Sequence, residues 1–309
     1  MTRLLIAAIE TGGSKILCRV TEADQDRQAS HDTLTARFAT TTPEAAVSDL
    51  VGAIQRRMAP GDQLVAIGLA SFGPLIVDPA SPDCGRMLST PKPHWSGFNL
   101  AQSLAGRLQA PVFLETDVAA AAIAEQAIGA ARGLDAAAYV TVGTGIGGAL
   151  VVEGRTLKGA LHPEIGHLRV KRREGDRTPS TCPFHDDCAE GLTAGPALGR
   201  RLAEGETLRD RHDVRALAAD YLGQLCASLA LAWSPRCIVL GGGVMSTPGL
   251  LDEVTSALTR NLGEYGSAMI SGPNYLRPPA LEHSGLEGAL ILARRQASKR
   301  QASRPRPLR

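Results

Sequence analysis

The chain has 309 residues, 44% of them apolar and only 4% aromatic, with 33 Lys and Arg against 31 Asp and Glu. That length allows one large or two medium domains with a sizeable core. No run of about 18 apolar residues is present to read as a membrane span, and the composition excludes fibrous and low-complexity classes.

The net charge of +2 hides an asymmetry. Residues 294–309, RRQASKRQASRPRPLR, carry seven basic residues and no acid. The remainder holds 26 Lys and Arg against 31 Asp and Glu, a balance of −5. A solvated, disordered basic tail is expected over 296–309, with no nucleic-acid role and no membrane contact. The opening MTRLLIAAIE is too short and lacks the cleavage pattern for a signal peptide, which favours the cytoplasm. Six cysteines then argue for metal or core roles over disulfides. Cys18, Cys226 and Cys237 sit in apolar patterns and read as buried fillers.

Leu4–Ile9, ETGGSK and ILCRV read as strand, glycine turn, strand. A buried strand is expected at Val65–Leu69, followed by the loop ASFGPL and an extended Pro, Ser and Gly-rich stretch over 79–99. A strand at Val112–Leu114 leads into Glu115-Thr116-Asp117 and an alanine-rich helix from Val118 to about Ala131. A second strand, turn and strand follow as AAYVTV, GTGIGG and ALVVEG. Apolar positions over 213–233 have helical spacing. Cys237–Leu240 reads as a strand running into Gly241-Gly242-Gly243, and 285–295 as a last helix. The alternation indicates an α/β protein, and the two glycine-turn hairpins hint at two related halves.

Three features carry chemistry. The turns TGGSK (11–15) and GTGIGG (143–148) bring backbone N–H groups close to a ligand, with hydroxyls from Thr11, Ser14 and Thr144. Both lack the Walker and dinucleotide patterns. Asp117 stands where a strand gives way to a helix, a position that suits either a helix cap or a general base. Finally, Cys182, His185 and Cys188 have two residues between each pair of neighbours and, with His167, supply two thiols and two imidazoles, enough for a tetrahedral zinc ion. Glu164 and Glu190 flank the set, and a purely structural clip has no need of them.

In order and joint spacing these segments resemble the ROK sugar kinases, and within them the bacterial fructokinase branch. The carrying motifs are IETGGSK (9–15), ASFGPL (70–75), STPKPHW (89–95), ETDVAAAAIAE (115–125), VTVGTGIGGALVVEG (140–154), HPEIGH (162–167), CPFHDDCAEG (182–191) and IVLGGGVM (238–245). The resemblance implies an actin-like (ribonuclease H-like) two-lobed ATPase fold with a cleft and a zinc-binding loop. It implies an N-terminal lobe over 1–116 rejoined by the helix 285–295, and a C-terminal lobe over 117–284 with the zinc loop at 167–188. It also implies ATP-dependent phosphorylation of fructose at the 6-hydroxyl with Asp117 as base. Glu164, His167, Glu190, Gly73 and Thr116 would bind the sugar. Thr11, Gly12, Gly13, Ser14, Lys15, Gly143, Thr144, Gly145, Gly242 and Gly243 would bind Mg-ATP. His167, Cys182, His185 and Cys188 would hold structural zinc, and a homodimer is implied. Kinases for glucose, mannose or N-acetylhexosamine are the alternatives within the family, and a non-catalytic sugar-binding regulator is the alternative outside catalysis. Ala119 stands where the family often has Asn, His94 where Gly is usual and Asn99 where Asp is common.

Overall fold

A computed structural model describes residues 2–24, 34–90, 92–265 and 274–302. The chain divides into two compact units. One comprises Met1–Ala124, Lys158–Leu161 and His283–Arg309, the other Glu125–Leu157 and His162–Glu282.

In the first unit, strands β1 (Leu4–Thr11), β2 (Lys15–Glu22), β3 (Ala36–Ala39), β4 (Gln63–Ser71) and β5 (Val112–Thr116) form a sheet of order β3-β2-β1-β4-β5. The first three strands pair antiparallel, and β1, β4 and β5 pair parallel. Helices α1 (Pro43–Gln55) and α2 (Leu100–Leu108) belong here, and α3 (Asp117–Ile128) begins here. The start of α1 is written locally: Thr42 Oγ1 accepts from Ala45 N–H, Pro43 takes the first helical position and Glu44 the first turn. Asn99 caps α2, accepting from Gln102 N–H at 2.9 Å and donating to Cys84 O at 2.8 Å.

In the second unit, β6 (Ala136–Val142), β7 (Ile146–Val152), β8 (Arg155–Thr156), β9 (Ile238–Gly241) and β10 (Leu276–Arg277) form a sheet of order β10-β9-β6-β7-β8. Helices α4 (Ala189–Thr193), α5 (Gly195–Gly199), α6 (His212–Trp233) and α7 (Leu250–Leu262) complete it. Read in chain order, both sheets have the same plan: an antiparallel hairpin, a third strand outside it, then two strands added in parallel. The two glycine-turn hairpins of the sequence are therefore equivalent elements of a duplicated, actin-like topology. The last helix, α8 (Ser284–Ala302), returns to the first unit. It runs seven residues beyond the expected end at Arg295, so 296–302 is helix and not tail. The remainder of the basic tail, 303–309, lies outside the described residues.

Both faces of the first sheet are covered, which is why β1 is apolar along its length. Leu5, Ala7 and Ile9 join the core with α1 and α2, whereas Ile6 and Ala8 join Leu286, Ala289 and Leu290 of α8. A Cβ on Gly68 of β4 would lie 1.8 Å from Ala289 O, and one on Gly288 of α8 would lie 1.9 Å from Ala120 O. Helix α8 thus rests on bare backbone. Among the described residues α6 is the helix long and apolar enough to span a membrane. Leu222, Leu225 and Leu229 are buried in the second core, with Leu231 near the helix end exposed, and this burial marks it as a core helix. The cysteines Cys18, Cys226 and Cys237 are fully buried, and burial pushes the Cys18 and Cys226 thiols up to about 12.

The loop before α4 is fixed by Asp176. Its carboxylate accepts from Arg201 at 2.6 and 3.0 Å, from the Tyr221 hydroxyl at 2.7 Å and from Thr178 N–H at 3.2 Å. Burial works against the charge, but the Arg201, Tyr221 and Thr178 bonds outweigh it and bring Asp176 down to about 2. A lowered folded-state value stabilises above the unfolded value near 3.8, and that contribution fades as pH falls through about 2. Asp176→Asn should cost at least about 2 kcal/mol in denaturant melts at neutral pH. The gap to the parent should narrow by about 2 kcal/mol between pH 4 and pH 2. A gap independent of pH would remove Asp176 as the titrating anchor.

Candidate functional site

The first glycine turn closes the β1–β2 hairpin. Gly12 N–H donates to Lys15 O at 2.8 Å, and Thr40 donates its hydroxyl to Gly12 O at 2.7 Å and its N–H to Ser14 O at 3.0 Å. Lys92 Nζ donates to Gly13 O. Gly13 and Ser14 are exposed at the tip. Thr11 is not: it is fully buried, and its hydroxyl donates to Ser71 Oγ at 3.2 Å. Phe72 N–H donates to Thr11 O at 3.0 Å, which sets the loop carrying Gly73 beside the turn. Just ahead, the Glu10 carboxylate accepts from Leu286 N–H in the first turn of α8 at 3.0 Å. Burial raises the Glu10 pKa, opposed by the positive Lys15 and by His283.

Asp117 opens α3 at the end of β5 and is half-buried. The cap of that helix is Thr116, whose Oγ1 accepts from Ala119 N–H at 3.2 Å. Thr116 is buried, and its hydroxyl oxygen spends one lone pair on the helix. Asp117 Oδ1 accepts from the adjacent Val118 N–H at 2.9 Å. Thr116 and Asp117 thus share the first turn of α3, each accepting one of its N–H groups.

The remaining predicted residues gather in the second unit. Ile165–His167 is a single 3-10 turn preceded by Glu164, and Gly166 allows it to sit on β7, since a Cβ there would lie 2.2 Å from Ile146 O. His167 Nδ1 lies 3.7 Å from Cys182 Sγ, and His185 Nδ1 lies 3.6 Å from the same sulfur. One ligand atom from each of His167, Cys182, His185 and Cys188 falls within 4.8 Å of all the others. Ligand atoms around a tetrahedral ion with bonds of 2.0–2.3 Å stand roughly 3.3–3.8 Å apart, so this donor set fits such an ion with little adjustment. Cys188 is fully buried and its sulfur accepts from Gly191 N–H at the start of α4. Ser180 holds the loop by donating to His185 O at 2.7 Å and accepting from Cys182 N–H at 3.1 Å.

The other nitrogen of His167, Nε2, lies 4.0 Å from Glu190 Oε1. Glu190 Oε2 accepts from Ile146 N–H at 2.8 Å, and a Cβ on Gly145 would come within 2.7 Å of that oxygen. Glu190 is therefore seated on the second glycine turn. Gly143 closes that turn, donating to Gly145 O at 2.9 Å and accepting from Gly195 N–H at 2.7 Å, and leaves Thr144 exposed. Gly242, at φ 95°, presses on the end of β6, where a Cβ would lie 2.4 Å from Val142 O. Gly243 follows and is exposed.

The metal cluster, both flanking acids and the second and third glycine clusters thus adjoin in one unit, while Asp117 and the first glycine turn belong to the other. His162 was missed in the sequence: its Nδ1 lies 3.5 Å from Glu164 Oε1, and its place two residues before that acid was the available signal. Lys92 was missed as well, because its partner Gly13 is 79 positions away.

The ROK family model matches residues 6–296. A fructokinase of Pediococcus pentosaceus is 35% identical over 292 residues, covering 94% of this chain and 98% of the relative. The ROK hexokinase of Thermus thermophilus superposes with a TM-score of 0.74 at 29% identity, over 96% of this chain and 99% of that one. A ROK family glucokinase of Streptomyces griseus, solved with glucose and AMPPNP, gives 0.72 at 25% identity, over 94% and 99%. Family model, near full-length relative and solved structures agree, and the chain belongs to the ROK family.

Proposed function

We propose that this chain, an ATP-dependent sugar kinase, phosphorylates fructose at its 6-hydroxyl to give fructose 6-phosphate and ADP. The carrying observation is His167, one ring nitrogen turned to the Cys182 cluster and the other to Glu190. The similarity to a fructokinase over nearly the whole chain supports fructose as the hexose.

In this reading Glu164, His167 and Glu190 receive the sugar, carboxylates accepting from its hydroxyls and His167 Nε2 serving one more. Asp117 takes the proton of the 6-hydroxyl. The 6-oxygen then forms a bond to the γ-phosphorus, the bond from that phosphorus to the bridging oxygen breaks, and ADP leaves with the electron pair. The glycine turns at 11–15 and 143–148 hold the phosphates through backbone N–H groups, and Mg²⁺ travels with the nucleotide. The fit of two thiols and two imidazoles makes zinc the resident ion. When bound it fixes the tautomer and orientation of His167.

A coupled assay with Mg-ATP and a panel of hexoses should give fructose the highest kcat/KM. A higher value for glucose, mannose or an N-acetylhexosamine would move the assignment within the family, and no turnover on any would end it. Asp117→Asn should lower kcat by at least about 100-fold with the melting temperature retained; rates within tenfold of the parent would remove Asp117 as the base. Stripping the metal with a chelator should weaken fructose binding by about tenfold or more before it weakens ATP binding. Unchanged sugar affinity after verified metal loss would reduce the cluster to a structural clip.

A further inference from the structure

The loop over 88–98 holds one side chain that neither the cofactor nor the sugar assignment uses. Trp95 N–H donates to Lys92 O at 3.3 Å, closing a four-residue turn over Lys92, Pro93, His94 and Trp95. Pro93 stands at its second position and His94, at φ 70°, at its third. That is the arrangement of a type II turn, whose third position normally takes Gly. A non-glycine residue there is strained, and such strain persists only where the surroundings hold the backbone in place. They do so here. Trp95 is fully buried, donates Nε1–H to Thr41 O at 2.7 Å and meets Phe72 edge-on at 5.0 Å. Thr90 and Ser96 close the loop behind it, with Thr90 N–H donating to Ser96 Oγ at 3.1 Å.

The anchored turn carries Lys92 to the first glycine turn, where its ammonium donates to Gly13 O. An ammonium has three N–H donors and this bond uses one. It therefore stands as a positive charge at the exposed tip formed by Gly13 and Ser14. Phosphoryl transfer depends on such charges at the transferred group.

We infer that Lys92 is a phosphate-contacting residue that binds the terminal phosphate of ATP at the first glycine turn. The inference rests on reading that turn as a phosphate cradle. Lys92→Met should weaken a non-hydrolysable ATP analogue, measured as its Mg²⁺ complex by equilibrium titration, about tenfold. Affinity for ADP should stay within twofold, because ADP lacks the terminal phosphate. Lys92→Arg should recover most of the analogue affinity. If Lys92 only tethers Gly13, both nucleotides weaken together in Lys92→Met, and that result overturns the assignment, as does no change for either. Failure of the parent protein to bind either nucleotide would instead overturn the kinase reading, and this assignment with it. The melting temperature of each variant is read alongside; a fall in the Met variant that Arg restores, without the ATP-to-ADP difference, also sinks it.

Discussion

The second unit's site depends on one imidazole that serves two neighbours. His167 turns Nδ1 to Cys182 and Nε2 to Glu190, and Glu190 in turn accepts from Ile146 N–H at the second glycine turn. Metal cluster, acid and glycine turn are thereby linked through successive contacts of 3.7, 4.0 and 2.8 Å. A ring with one nitrogen committed to an ion has a fixed tautomer and a fixed plane, so the other nitrogen presents a fixed donor to its surroundings. The short 3-10 turn under His167 adds to this, because Gly166 sits on the carbonyl of Ile146 with no room for a side chain.

Close backbone approach is the means by which both units are assembled. Gly145 makes space for the Glu190 carboxylate, Gly191 for the Ser180 hydroxyl and Gly242 for the end of β6. In the first unit Gly68 and Gly288 let α8 lie on β4 and α3. The abundance of glycine visible in the composition is thus of two kinds. Some positions expose N–H groups at turns, and others remove a Cβ where two chain segments meet. Only Gly242 among these five also has a positive φ, so for the rest it is contact and not conformation that demands glycine.

Much of the candidate site was legible because its residues are close in sequence or carry distinctive chemistry. The cluster of thiols and imidazoles, the two glycine turns and the strand-to-helix step at Asp117 were all read from local pattern. Part of what escaped was set by distant partners, and part was local pattern left unread. Thr11 looks like an open hydroxyl beside a glycine turn, but Ser71, 60 positions on, takes it. Thr116 reads as a ligand beside Asp117, and its short side chain also accepts from Ala119 N–H, three positions on. Helix α1 was passed over although Thr42, Pro43 and Glu44 announce its start. Helix α7 was passed over too, with Leu250, Val254, Ala257 and Leu258 on its buried side. The end of α8 was lost because a run of basic residues reads as solvated chain whether or not it is helical.

The two glycine turns share a topology but not an electrostatic setting. Each has a carboxylate beside it, and a carboxylate repels phosphate. At the second turn the acid is Glu190, which spends one oxygen on the backbone and turns the other toward His167. At the first turn the acid is Glu10, held by Leu286 N–H at the start of α8, with Lys15 and His283 favouring its charge and burial opposing it. What lies beside each acid differs. At the second turn it is the His167 imidazole, which a bound metal would hold neutral with Nε2–H as a hydrogen-bond donor, so it offers a directed dipole and not a full charge. At the first turn there are full charges, Lys15 at the start of β2 and Lys92 brought in by a strained loop. Duplicating a hairpin supplied the backbone N–H groups twice, but the groups that face each acid come from different places in the two units and differ in charge.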